Sequence, residues 1–120
     1  MTQEALRKYL RELSAGEYLF KKSDSGNTMF IVVEGELDVR DENEKGELLQ
    51  ISSLKVGEVV GEKSLLSLNP YPRAYHVIAK VPSKVLEFER KDIKLVEAII
   101  PNFTQKLLHL AAQRLERTNQ

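Results

Sequence analysis

One short stretch of the 120-residue chain carries groups able to hold an anion. The segment "GEKSLLSLNPYPRA" opens on Gly61 and Glu62, continues through residues 64–68, long enough for one or two helical turns, and ends on Arg73 and Ala74. Glycine permits close approach of the backbone to a ligand. The start of a helical turn presents N–H groups and the positive end of aligned peptide dipoles, which suits phosphate. Arginine adds a planar fork that pairs with two oxygens of one phosphate. Glu62 serves no purpose beside a bare anion, but a carboxylate accepts a hydrogen bond from a hydroxyl. Glycine, carboxylate and arginine together match the ribose and phosphate of a nucleotide. The competing reading is a surface turn in which Glu62 and Arg73 form an ion pair worth little.

Other chemistries lack parts. A metal-binding barrel needs several histidines and a carboxylate converging at short spacing. This chain has only His76 and His109, distant in sequence. With no cysteine, and no serine in a strand-turn-helix elbow beside a histidine base, nucleophilic catalysis has no candidate. The chain is therefore read as a non-enzyme without cofactor or metal.

Composition bounds the rest. The chain is 42% apolar and 30% charged, enough for one globular domain with a real core. Eighteen basic residues balance eighteen acidic ones, so no net field gathers nucleic acid or anionic lipid, and an anion must be caught locally. No apolar run approaches the roughly 20 residues of a membrane span, and the charged, amphipathic start is not a leader. A soluble, cytoplasmic protein is expected. It would contact neither membrane nor DNA directly, since no helix-turn-helix follows the last helix.

Three zones must position the anion-holding residues. Leu6, Tyr9, Leu10 and Leu13 recur at helical spacing and predict an N-terminal helix within residues 1–15. Residues 16–90 alternate short apolar runs ("EYLF", "MFIVVEG", "ELDVR", "ELLQIS", "YHVIAKV", "KVLEFE") with polar breaks, which predicts an antiparallel sandwich or rolled sheet. "DENEKG" reads as a hairpin loop. From Lys91 the helical period returns, with Ile93, Val96 and Ile100 on one face. Pro101 then opens a last helix over about 102–117. Its apolar residues, Phe103, Leu107, Leu108, Leu110, Ala111 and Leu115, span an arc wider than one seam. Leu108, Ala111 and Leu115 offer a face for homodimerisation, and the same residues serve a monomer whose helix folds onto its own sheet.

In order and spacing these segments resemble the cyclic nucleotide-binding domains shared by the bacterial cAMP receptor protein, protein kinase A regulatory subunits and cyclic-nucleotide-gated channels. The resemblance covers nearly the whole chain. "LSAGEYLFKKSDSGNTMFIVVEGELDV" is similar to the family's first half, "LKVGEVVGEKSLL" to its glycine-glutamate motif, and "PRA" to the end of its phosphate-binding cassette, here residues 60–75. It implies an eight-stranded antiparallel β-roll (a double-stranded β-helix or jelly-roll) with one N-terminal and two C-terminal helices, in a single domain that can belong to a longer protein.

By that resemblance, Glu62 accepts the ribose 2′-hydroxyl and Arg73 pairs with the cyclic phosphate. Backbone groups of Gly61, Ser64 and Ala74 line the phosphate, and Leu65 and Leu66 pack the cassette turn onto the roll. Ala74, where cGMP-selective domains tend to carry threonine, tilts the ligand toward cAMP, with cGMP as the other candidate. Three features depart from the pattern: a longer loop at 67–72, Lys63 in place of an aliphatic residue, and "AYH" after the arginine. Strand alternation puts Arg73, Tyr75, Val77 and Ala79 inward, so Tyr75 stacks on a base, fills the site or is plain core. Phe103 is another candidate near the base, and His76 is expected at the surface or a strand edge. Two functions follow: a regulatory sensor whose C-terminal helix moves about the break at Pro101, or an interaction module of the same fold that has lost its nucleotide.

Overall fold

The computed structural model describes residues 3–66 and 71–118. The chain enters through α1 (Gln3–Leu6) and a 3₁₀ turn (Arg7–Tyr9), then becomes extended as β1 (Leu10–Leu13). The predicted helix up to residue 15 is thus a single turn plus a strand. Leu6 and Tyr9 pack under the C-terminal helices, while Leu13 enters the interior of the roll. One apolar spacing serves both conformations over so few residues. The extended one prevails where β1 pairs along β10 (Ser83–Glu89), Leu10 opposite Leu86 and Leu13 opposite Ser83.

The intervening strands are β2 (Tyr18–Phe20), β3 (Ser25–Gly26), β4 (Thr28–Glu34), β5 (Glu36–Glu42), β6 (Leu48–Lys55), β7 (Val59–Val60), β8 (Tyr71–Pro72) and β9 (His76–Ala79). They form two four-stranded antiparallel sheets, β1-β10-β4-β7 and β2-β9-β5-β6, with β3 and β8 as a short ribbon. This is the antiparallel roll that the pattern predicts. The β5–β6 hairpin turns at the predicted polar loop, where Asn43 Oδ1 accepts from the N–H groups of Lys45 and Glu47 at 2.9 Å each. Between β4 and β5, Gly35 has φ +87°, and a Cβ there would meet the Pro82 carbonyl at 2.7 Å, so the turn requires glycine.

Two apolar clusters share one wall. Leu19, Phe30, Val32, Leu37, Val77 and Val85 fill the space between the sheets. Met29, Ile31, Leu65, Phe88, Val96 and Phe103 form the second cluster, under α2 (Ile93–Ile99) and α3 (Phe103–Thr118). Period-2 alternation sends Phe30 and Val32 one way and Met29 and Ile31 the other, which is why "MFIVV" reads as an unbroken apolar run. Each such side chain, fully buried, contributes about 1.5–3 kcal/mol.

At the C-terminal break, α2 ends at Ile99, Ile100 is extended, and Pro101 lies in the turn ahead of α3 rather than inside its first turn. Asn102, at φ +66°, completes the reversal. Glu97 Oε2 accepts from both the N–H and the hydroxyl of Thr104 at 2.7 Å, tying α2 to the start of α3. Phe103 and Leu107 are buried, Leu108 is 64% exposed, and the side chains of Ala111 and Leu115 lie outside those described. No helix among the described residues is long and apolar enough to cross a membrane.

Candidate functional site

After β7 the chain reverses at Gly61, whose φ of +81° favours glycine. Space imposes the same choice, since a Cβ would lie 2.7 Å from Arg73 Nη1 and 3.0 Å from the Thr28 carbonyl. A 3₁₀ turn, Glu62–Leu66, follows. Ser64 braces it: its N–H donates to the Gly61 carbonyl at 3.0 Å. Its buried Oγ lies 2.6 Å from the same carbonyl and 2.9 Å from the Thr28 carbonyl. Leu65 faces away from the turn into the helix-side cluster, and its carbonyl accepts from Arg90 Nε at 2.9 Å. Ser64 and Leu65 therefore hold the turn against the roll, the packing role that the resemblance gives Leu65.

Turn and roll enclose a cavity of about 200 Å³ whose lining includes Phe20, Gly61, Glu62, Arg73, Ala74 and Tyr75. An adjoining cleft of about 620 Å³ shares Val59 and Glu62 and reaches Phe103, Lys106 and His109 on α3. Six of the seven residues singled out from the sequence thus border one cavity, with Ser64 among them and Leu65 behind it. Of the longer loop at 67–72, residues 67–70 lie outside the described residues.

Arg73 is the electrostatic centre of the cavity. It is only 8% exposed. Its backbone is clamped to the turn between β2 and β3, its N–H donating to the Asp24 carbonyl and its carbonyl accepting from the Ser23 N–H, both at 2.8 Å. The guanidinium carbon stands 4.4 Å from the Phe20 ring centre and 5.6 Å from that of Phe30, within cation–π range. Gly26 gives it room, because a Cβ there would overlap the guanidinium. Nη2 donates to Thr28 Oγ1 at 3.3 Å, and the Thr28 hydroxyl donates to Glu87 Oε2 at 2.8 Å. Burial draws the pKa of Arg73 below its ordinary value, and the charges of Glu87 and Asp24 oppose that. Arginine stays protonated regardless.

Among the described residues no carboxylate forms an ion pair with Arg73, Glu62 included. The surface-pair reading of Glu62 and Arg73 does not hold in this structure. Among the described residues the buried guanidinium thus meets two aromatic rings and a neutral hydroxyl, and no anion at ion-pair distance.

Tyr75 is 43% exposed at the cavity rim, which removes the plain-core reading. The chain bends at 74–75 and β9 begins only at His76, so the alternation extrapolated back from Val77 does not govern Tyr75. His76, expected at the surface, is 9% exposed. It faces away from the cavity, but on a strand flanked by β2 and β5 rather than at an edge. Its Nδ1 accepts the Lys22 N–H at 3.2 Å, so Nε2 carries the proton and donates to Glu42 Oε1 at 3.1 Å. Among the described residues no three His, Cys, Asp or Glu side chains gather as a metal site.

Sequence reading missed Phe20, Gly26, Thr28, Phe30 and Glu87 as partners of Arg73. Gly26 and Thr28 lie in the polar break before "MFIVV", and only the pairing of β3 with β8 brings that break to the arginine.

The comparisons bear on this geometry. The family model described as the cyclic nucleotide-binding domain matches residues 10–96. The cAMP-dependent protein kinase regulatory subunit of Mycosarcoma maydis is 40% identical over 70 residues, 58% of this chain and 13% of that protein. The human cyclic nucleotide-gated channel beta-1 is 31% identical over 104 residues, 86% of this chain and 8% of that protein. The chain thus spans about an eighth or less of the length of these relatives. Among solved structures, the N-terminal domain of a transcriptional regulator from Streptomyces coelicolor A3(2) superposes with a TM-score of 0.69 at 27% identity, covering 99% of this chain and 85% of that one. With the match running from β1 into α2 and across the whole cavity, the chain belongs to the cyclic nucleotide-binding domain family.

Proposed function

We propose that this domain is a regulatory sensor that binds a cyclic nucleotide, with cAMP as the preferred ligand, and signals through α3. The observation that carries the reading is Arg73: a cation 8% exposed, stacked against Phe20, bordering a cavity and paired with no carboxylate among the described residues. A cyclic phosphate supplies the missing charge. The guanidinium presents five donors, of which one contacts Thr28, so a two-oxygen fork remains for the ligand. Glu62, at the start of the cassette turn, takes the ribose 2′-hydroxyl. Tyr75 at the rim covers the base, and Ala74 beside the arginine adds no hydroxyl for a guanine amino group. The cleft shared by Glu62 and α3 gives ligand occupancy a route to the last helix, which turns about residues 100–102. Leu108 and its neighbours on α3 then serve a second copy or an effector in the cytoplasm.

Titration calorimetry with cAMP and with cGMP, repeated on Arg73→Ala, tests the reading. Saturable binding of cAMP, weakened at least about 100-fold in the variant by loss of a charge-assisted pair, is the expected result. Tighter binding of cGMP would reassign the ligand. No heat from folded, nucleotide-free protein would leave an interaction module of the same fold.

A further inference from the structure

Thr28 and Glu87 are not among the site residues read from the sequence, yet Thr28, itself bonded to Glu87, makes the only side-chain hydrogen bond to Arg73 among the described residues. They sit on adjacent strands, with Glu87 opposite Phe30 and Thr28 two residues before Phe30 on the same face of β4. Glu87 does not border the cavity. It lines a separate polar cleft with Lys8, Tyr9, Arg11, Lys91 and Asp92.

The direction of the two hydrogen bonds matters. An ionised carboxylate only accepts, so the Thr28 proton belongs to Glu87, and Thr28 Oγ1 turns its lone pairs toward Arg73 Nη2. We propose that Thr28 and Glu87 are positioning residues, which hold the Arg73 guanidinium in its ligand-ready pose without neutralising it. A carboxylate in direct contact would do the first at the expense of the second, because it would compete with phosphate for the same fork. One intervening hydroxyl keeps the geometry and dilutes the charge with distance. Phe20 and Phe30 lie against the guanidinium, Gly26 and Gly61 leave its path open, and Thr28 fixes its rotation. Ligand binding then loses little side-chain freedom.

The inference rests on the sensor reading for its effect on affinity, but not for its effect on Arg73 itself. The test follows the side-chain guanidinium signals of Arg73 by nitrogen-15 NMR in the unliganded chain, with cAMP calorimetry on the same samples. Resolved, slowly exchanging Arg73 signals are expected in the parent and in Thr28→Ser, which keeps the hydroxyl. In Thr28→Val and Glu87→Ala they collapse onto those of exposed arginines. cAMP affinity falls roughly tenfold in Thr28→Val and about threefold in Glu87→Ala, the size of effect that freezing one rotamer-rich side chain produces. It returns to near parent level in Thr28→Ser. Unchanged Arg73 signals in Thr28→Val overturn the assignment whatever the affinity does. Should that variant not fold, the signals in Glu87→Ala decide in its place. If the parent binds neither cAMP nor cGMP, the sensor reading falls while the unliganded Arg73 signals still decide this one.

Discussion

The two faces of the β2-β9-β5-β6 sheet treat buried charge in opposite ways. On the outer face charges come in pairs. Asp38, 2% exposed, accepts from Arg40 Nη2 at 3.0 Å, and the His76 ring donates to Glu42 Oε1 at 3.1 Å. Even there, Asp38 Oδ1 and Arg40 Nε have no partner, so the buried pair is imperfect. Inside the roll, Arg73 is buried as deeply as His76, and its one side-chain hydrogen bond among the described residues goes to a hydroxyl. The outer pairs serve the fold. The inner cation costs the fold something, which the proposed ligand anion would offset; on that reading, depth of burial is a weaker mark of a binding residue than the lack of a countercharge.

Replacing both arginines by leucine gives the largest contrast. Arg40→Leu leaves Asp38 buried without its cation and should lower unfolding free energy by about 2–3 kcal/mol in urea titration. Arg73→Leu removes an unpaired buried charge and should leave the unliganded fold as stable as the parent, or up to about 1 kcal/mol more so, while abolishing nucleotide binding. Equal destabilisation by the two would erase the distinction. A double change, Asp38→Leu with Arg40→Leu, should recover most of the first loss without altering cAMP affinity.

Smaller effects separate hinge from roll. Hydrogen bonds from the Thr104 hydroxyl and N–H hold the Glu97 carboxyl below its usual pKa. A depressed carboxylate pKa stabilises at pH above the unfolded value and loses that contribution as pH falls through the folded one. The Glu97–Thr104 tie should therefore be intact at neutral pH and open in acid below the ordinary glutamate range. Protection from hydrogen exchange at the start of α3, taken relative to the intrinsic rate at each pH, should fall there, and Glu97→Gln should remove that pH dependence. Smallest of all, Asp41→Asn breaks an exposed pair, Lys22 being 45% exposed at its side chain, and should not move the thermal midpoint measurably.

The cassette was legible because its chemistry is local: Gly61, Glu62 and Arg73 stand close enough in sequence for their types to be read together. The strands were legible from polar breaks at regular spacing. What escaped was non-local or depended on sheet order. Thr28 meets Arg73 across 45 residues and Glu87 across 59, and no periodicity encodes such a meeting. His76, expected at the surface or a strand edge, is covered because β9 lies between β2 and β5, and the Lys22 N–H that bonds its ring comes from 54 residues upstream. Leu10 and Leu13 satisfy helix and strand alike until β10 offers an edge to pair with.

That last pairing has an architectural consequence. Leu10 opens β1 directly opposite Leu86, at the middle of β10, so the roll is entered and left on neighbouring strands. Antiparallel partners stand only about 5 Å apart. A unit whose ends meet can be spliced into a surface loop of a host protein without prising the loop apart. Adjacent ends of this kind would let the roll be carried as a cartridge, and β1, which pairs along β10, would be part of any such graft.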